Sequence, residues 1–178
     1  EGWKGELTAC LENSDGAKTY AESPITGITA EWKQFSATLN PTATDPAARL
    51  VLRVKGQGKV WFDMVSLFPK DTFKGRPNGL RADLAQMLAD LKPAFVLFPG
   101  GCYVEGNKIA NAFRWKDSIG DIARRPGHWN LWGYRSTDGL GYHEYLQMCE
   151  DLGAEPLYVI NCGMAHEDFV PMDKMGPW

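Results

Sequence analysis

A helix–proline–strand unit that occurs twice in the second half of the chain restricts the possible folds most strongly. In the first unit, apolar residues recur at the spacing of one helix face, Pro93 ends the helix, and a short apolar strand follows. The same order of elements recurs around Pro156. Strands that are apolar on both faces are typical of parallel sheets covered by helices. We therefore predict helices at 79–91 and 140–152 and two parallel strands at 94–98 and 157–161.

The residues before about position 70 differ, because apolar and polar side chains alternate there with a period of two. The alternating segments lie at 32–39, 49–54 and 59–68, and turn-forming residues separate them. Short strands at this spacing are typical of an antiparallel β-sandwich. We therefore predict no helix within 30–68 and a mixed fold for the chain, in which a β-sandwich precedes an α/β segment.

The carboxyl ends of the two predicted parallel strands are the expected place for a ligand site. Both ends are small, polar and rich in glycine, at 99–102 and at 161–164. A connection of about 40 residues follows the first strand and contains the aromatic residues Tyr103, Phe113, Trp115, Trp129, Trp132 and Tyr134. Such rings beside polar side chains suit the binding of sugars, and they equally suit the packing of a long loop. Both interpretations stay open.

Composition and spacing argue against several classes of function. The 19 basic and 22 acidic residues give a net charge of −3, which argues against nucleic acid as a partner. No apolar run is long enough for a membrane span, so we expect no membrane partner. The histidines His128, His143 and His166 lack metal-binding spacing, and we expect no cofactor and no histidine-bound metal. For Asp63, inside an apolar segment, three interpretations remain: a solvated edge, a hydrogen-bonded turn or a structural calcium ligand.

Several longer motifs, taken together, resemble a known enzyme family. They lie at 58–69, 90–93, 98–106, 113–116, 125–128, 138–141 and 151–156. In content and order they resemble the α-L-arabinofuranosidases of glycoside hydrolase family 51, from Trp32 onward. Each motif alone is weakly specific, whereas the ordered set is highly specific.

The resemblance implies a domain organisation that the patterns alone do not give. Residues 1–70 are expected to be part of a jelly-roll-like sandwich similar to a carbohydrate-binding module. Residues 71–178 are expected to be the N-terminal part of a (β/α)₈ barrel, a TIM barrel that needs about 250 residues when complete. A partial barrel leaves a sheet open, so we expect the remainder of the barrel or a second copy to cover it. The side chains expected on that open side are Val96, Phe98, Tyr158 and Ile160.

The resemblance also implies an activity and a substrate. Members of the family remove terminal α-L-arabinofuranosyl residues from hemicellulose or pectin side chains. They retain the anomeric configuration and use two glutamates, one of them in an Asn-Glu pair. This chain contains no Asn-Glu pair, so we expect no catalytic residue in it and an active parent protein that is longer. The expected partner is an arabinose-containing polysaccharide or oligosaccharide, and an extracellular or periplasmic location is favoured. The alternative is a non-catalytic carbohydrate-binding protein that uses the sandwich or the aromatic loop 103–134.

Three residues match substrate-binding positions of the family. Cys102 matches a small residue after the glycine pair, Trp115 matches a loop tryptophan of the −1 subsite, and Asn161 matches the residue that ends the third barrel strand. Leu97 stands where relatives usually have an arginine that holds a carboxylate near the reaction centre. This departure implies that the parent lacks full activity. Cys162 also stands in place of a more usual asparagine.

Overall fold

The structure is a computed structural model that describes residues 3–174, and the chain divides between Leu67 and Phe68 into two compact units. The first unit contains three antiparallel strands in the spatial order β2-β1-β3: β1 (Lys4–Glu12), β2 (Thr19–Ile25) and β3 (Arg49–Gln57). Leu7 of β1 lies opposite Ile25 of β2 and Val54 of β3. The central strand β1 is therefore hydrogen-bonded on both sides, and it contains most of the buried residues of this sheet.

A carboxylate is buried at the end of β1. The side chain of Glu12 is only 5% exposed and accepts hydrogen bonds from Arg49 at 2.7 Å and from Arg53 at 2.6 Å. The hydrogen bonds from Arg53 and Arg49 hold the pKa of Glu12 below its ordinary value. The two guanidinium groups thus compensate a charge that would otherwise be costly to bury.

Of the three strands predicted before residue 70, only 49–54 is confirmed, as part of β3. The predictions of strands at 32–39 and 59–68 are wrong, because neither segment pairs with another strand among the described residues. Their rings face solvent, and Trp32 and Trp61 are 73% and 69% exposed. Alternating apolar and polar residues show which face of a strand would be buried. A strand forms, however, only where a neighbouring strand pairs with its backbone N–H and C=O groups. The absence of helices from 30–68 is confirmed for these residues.

The second unit contains, in chain order, α1 (Ala82–Asp90), β4 (Phe95–Phe98), α2 (Gly101–Glu105), β5 (His128–Trp129), β6 (Arg135–Ser136), α3 (Tyr142–Leu152) and β7 (Glu155–Tyr158). Single 3₁₀ turns lie at Phe73–Gly75, Ile109–Asn111, Trp115–Ser118, Ile122–Arg124 and Met172–Lys174. Strands β4 and β7 pair in parallel, with Leu97 opposite Leu157 and Phe98 opposite Tyr158. The two predicted helices and the parallel strand pair are confirmed, and the second strand begins earlier than expected.

The parallel strands have one covered and one open face. Phe98 is 4% exposed, stacks on Tyr145 of α3 at 4.4 Å between ring centroids, and meets Tyr158 edge-on at 5.3 Å. Leu97 and Leu157, one position earlier in each strand, are 55% and 50% exposed. The prediction that Phe98 lines the open side is therefore wrong, because side chains alternate and α3 covers the Phe98 face. Ile160, from the same predicted set, is 55% exposed.

Helix α1 also exposes apolar side chains. Only Ala85 of this helix is buried, whereas Leu84, Met87 and Leu88 are about half or more exposed. The regular spacing of these residues is that of a helix face that packs against another element. No helix formed by residues 3–174 has the length and apolar character that a bilayer span requires.

Candidate functional site

Two glycines with positive φ follow β4. Gly100 and Gly101 have φ values of 70° and 53°, in the region that favours glycine, and α2 begins there. The turn places Cys102 at the carboxyl end of β4, where its side chain is half-buried. All four cysteines of the chain are free thiols.

Asn161 joins the segment after β7 to α2. Its Oδ1 accepts hydrogen bonds from the backbone N–H groups of Gly163 and Met164, at 2.5 and 3.1 Å. Its Nδ2 donates to the carbonyl oxygens of Val104 and Met164, both at 2.9 Å. These four bonds use the full capacity of one amide, so the Asn161 side chain holds together the two segments that end the parallel strands.

Trp115 lies in the long connection, in the 3₁₀ turn Trp115–Ser118. Its ring is partly exposed and packs against Tyr142, at 5.0 Å between ring centroids. Ser118 donates a hydrogen bond to the carbonyl oxygen of Trp115 and accepts one from the backbone N–H of Tyr142, at 2.7 and 2.9 Å. The start of α3 therefore fixes the position of the Trp115 ring.

Arg125 is the central residue of the connection, and its side chain is only 2% exposed. It donates to both carboxylate oxygens of Glu144, at 3.0 and 2.8 Å, and to the carbonyl oxygens of Gly120, Asp138 and Gly139. Burial alone would raise the pKa of Glu144, but hydrogen bonds from Arg125 and from backbone N–H groups outweigh it and lower the pKa. One guanidinium thus ties the long connection to the first turn of α3.

His128 and Asp138 form a second buried pair, beside the clamp that Arg125 forms with Glu144 and the carbonyl oxygens. The Nδ1 atom of His128 is 2.9 Å from Oδ1 of Asp138, and both side chains are less than a tenth exposed. Tyr103 meets the His128 ring edge-on and shares a hydrogen bond of 2.8 Å with the Ser136 hydroxyl. Burial raises the pKa of Tyr103 to about 12, so this hydroxyl stays protonated at neutral pH.

The aromatic residues of the connection divide between the two interpretations that the sequence left open. Phe113 is 2% exposed and packs against Tyr103 at 5.3 Å between ring centroids, so these two rings pack the loop. Trp129, Trp132 and Tyr134 are each more than half exposed and available to a ligand.

One cluster at this end of the sheet is not predicted by the sequence patterns. Cys102 and Glu105, from the segment after β4, lie beside His166, from the segment after β7, and their ligand atoms are all within 4.8 Å of one another. Nε2 of His166 is 3.0 Å from Oε2 of Glu105. Asp63, the residue considered for calcium, is exposed, and its Oδ1 accepts a hydrogen bond from the backbone N–H of Met64 at 2.9 Å.

Comparison with known proteins identifies relatives of this chain. The family model of the α-L-arabinofuranosidase 1 domain matches residues 87–178. α-L-Arabinofuranosidase 1 of Arabidopsis thaliana is 44% identical over 177 residues, which are 97% of this chain and 26% of that protein. An extracellular exo-α-L-arabinofuranosidase of Streptomyces chartreusis is 38% identical over 165 residues, 86% of this chain and 20% of that protein.

A solved structure matches over nearly the same length. The arabinose-bound MgGH51 α-L-arabinofuranosidase aligns with 97% of this chain and 29% of its own, with a TM-score of 0.85 and 38% sequence identity. The chain therefore spans about a quarter of the length of the proteins that it matches.

Proposed function

Because this chain belongs to the α-L-arabinofuranosidases of glycoside hydrolase family 51, we propose that it is one part of an exo-acting, retaining enzyme of that kind. The observation that carries the proposal is the fit of 97% of the chain to an arabinose-bound relative. The substrate would be an arabinose-containing polysaccharide or oligosaccharide. The relative from Streptomyces chartreusis is an extracellular exo-α-L-arabinofuranosidase, which supports exo action and an extracellular location.

We propose that the two units have different origins within that enzyme. Residues 1–70 would belong to a sandwich similar to a carbohydrate-binding module, and its second sheet would pack on β1, β2 and β3. Residues 71–178 would be the first part of a (β/α)₈ barrel. The parallel pair β4–β7, with a helix before each strand and one open apolar face, supports this assignment.

The catalytic glutamates of the proposed enzyme lie outside this chain. Retaining hydrolysis needs two carboxyl groups about 5–5.5 Å apart on either side of the scissile bond. Glu144 is bound by Arg125 and Glu105 faces His166, so each is already engaged by a cation or an imidazole. The chain's contribution is therefore to hold the sugar. Cys102 and Trp115 would contact the arabinofuranosyl ring, and Asn161 would fix the segments that carry these contacts.

A cheap test of this proposal is the gene sequence beyond Trp178. We expect an Asn-Glu pair and a second glutamate, each at the end of a predicted barrel strand. A gene that continues without them would support the alternative, a non-catalytic carbohydrate-binding protein. The exposed rings of Trp129 and Trp132 are the observation that favours this second candidate.

Replacing Trp115 tests its proposed contact with the sugar. In the full-length gene product, we expect Trp115→Ala to lower kcat/KM for an aryl α-L-arabinofuranoside roughly three- to tenfold, the value of one aromatic contact. The matched control is Trp32→Ala, which removes a ring that is 73% exposed in the first unit. Equal kinetics of the two variants would remove Trp115 from the substrate site.

The open face of β4 and β7 predicts how the 178-residue chain behaves alone. Leu97, Leu157 and Ile160 are each half exposed, and burying such a side chain contributes about 1.5–3 kcal/mol. Together they amount to much of the roughly 5–15 kcal/mol that stabilises a domain. We expect light scattering to give a mass above the 19.8 kDa of one chain, and Leu97→Lys with Leu157→Lys to reduce association. A dilute 19.8 kDa monomer with a cooperative melting transition contradicts this expectation.

A further inference from the structure

We propose that Cys102, Glu105 and His166 bind a zinc ion at the carboxyl ends of β4 and β7. The three side chains supply a thiolate sulfur, a carboxylate oxygen and an imidazole nitrogen, and these ligand atoms lie within 4.8 Å of one another. Sulfur, nitrogen and oxygen together are a ligand set that zinc accepts. The proposal does not depend on hydrolase activity, because it concerns these three side chains alone.

The separations are close to those that a zinc ion requires. Ligand atoms that share one tetrahedral zinc lie roughly 3.3–3.8 Å apart, given bond lengths of about 2.0–2.3 Å. Glu105 Oε2 and His166 Nε2 are 3.0 Å apart without an ion. All three ligand atoms lie within 4.8 Å of one another, so coordination requires the most distant pair to approach by up to about 1.5 Å.

The backbone around the cluster is held by contacts between the two contributing segments. The N–H of His166 donates to the carbonyl oxygen of Gly106 at 3.2 Å, and the N–H of Glu167 donates to that of Asn107 at 2.8 Å. Asn161 adds its hydrogen bond to the carbonyl oxygen of Val104. The ligands therefore do not have to be gathered from a mobile loop, which reduces the entropic cost of binding.

Burial and chemistry favour zinc over the common hard cations. Cys102 and Glu105 are half-buried, whereas His166 is exposed, so the cluster is open to solvent on one side. Calcium and magnesium prefer oxygen ligands alone, whereas a thiolate selects softer ions. Three protein ligands leave a fourth position for water or a hydroxyl group, the arrangement of open zinc sites.

Alkylation of the wild-type protein tests the site without any substitution. The full-length gene product, freed of metal, is treated with iodoacetamide with and without Zn²⁺, and the modified cysteines are quantified by mass spectrometry. Cys162 is exposed and outside the cluster, so it is the internal control. We expect Zn²⁺ to slow alkylation of Cys102 at least tenfold and to leave Cys162 unchanged. Equal rates at Cys102 with and without Zn²⁺ overturn the proposal.

Calorimetric titration with Zn²⁺ then identifies the ligands. Removal of an outer-shell partner already costs about 10–100-fold in metal affinity, so we expect at least that loss in Cys102→Ser, Glu105→Gln and His166→Ala. The matched control is His143→Ala, an exposed histidine outside the cluster, which should bind as the wild type does. With Co²⁺ in place of Zn²⁺, the wild type should show a thiolate-to-cobalt absorption band that Cys102→Ser lacks. Glu105→Gln keeps the shape of the side chain, so unchanged affinity in that folded variant overturns the proposal.

Discussion

The 178-residue chain, purified alone, is expected to show no turnover of an aryl α-L-arabinofuranoside, measured as released nitrophenol. The chain has no Asn-Glu pair, and loss of acid–base assistance alone removes about 10²–10⁴ in rate. Loss of the nucleophile in addition removes the covalent route of a retaining enzyme. The control is the full-length gene product under the same conditions. Turnover by the short chain near one per second or faster would mean that this chain contains the catalytic site.

Replacing Arg125 is expected to lower the free energy of unfolding of the second unit by a large amount for a single substitution. Arg125→Met leaves the partly buried Glu144 carboxylate and three carbonyl oxygens without their shared donor. Removing one partner of a buried ion pair costs about 3–5 kcal/mol, and we expect about 3 because the Glu144 side chain is 24% exposed. Urea unfolding, followed by tryptophan fluorescence, measures the change.

Two further variants separate the ion pair from the carbonyl contacts of Arg125. Glu144→Gln leaves the bonds from Arg125 to the carbonyl oxygens in place, so we expect a smaller loss than in Arg125→Met. Arg124→Met changes the exposed neighbouring residue and is the matched control, with an unfolding midpoint close to that of the wild type. Midpoints that are the same in Arg125→Met and Arg124→Met would show that the clamp does not stabilise the connection.

The sequence predicts the second unit better than the first for a physical reason. Each helix–strand unit is defined locally, by apolar spacing, a proline at the helix end and a continuous apolar strand, and these predict the parallel pair correctly. The segments 32–39 and 59–68 alternate as well as β3 does, yet they form no strand. Whether an alternating segment becomes a strand depends on a partner far away in sequence, which a local pattern does not contain.

The faces of β4 show a second limit of the pattern. A strand that is apolar at every position has no alternation from which its covered face can be predicted. The expectation for Phe98 was therefore reversed, since α3 packs on Phe98 and leaves Leu97 open. Leu97 is also where the resemblance implies an arginine, which would point from this open face.

The sequence predicts site residues only within the motifs that resemble the enzyme family. The family resemblance indicates Cys102, Trp115 and Asn161, and the structure shows in addition that the Asn161 amide bonds entirely within the chain. The motifs 98–106 and 125–128 contain Glu105 and Arg125, but they do not predict the pairs with His166 and Glu144, because these partners are distant in sequence. The order of the elements could have predicted that Glu105 and His166 lie close together. Each residue follows the end of a parallel strand, and such ends lie side by side.

Hydrolysis of an aryl α-L-arabinofuranoside by the full-length gene product tests the central claim most directly. The measurement compares the natural protein with its Leu97→Arg variant, which introduces the arginine that the family resemblance implies at this position. We expect release of arabinose from terminal α-L-arabinofuranosyl groups, with faster turnover in the variant because the arginine adds a charge-assisted bond to a carboxylate. No release by either form, while arabinose-containing oligosaccharides still bind, would contradict the account and identify a carbohydrate-binding protein without catalytic function.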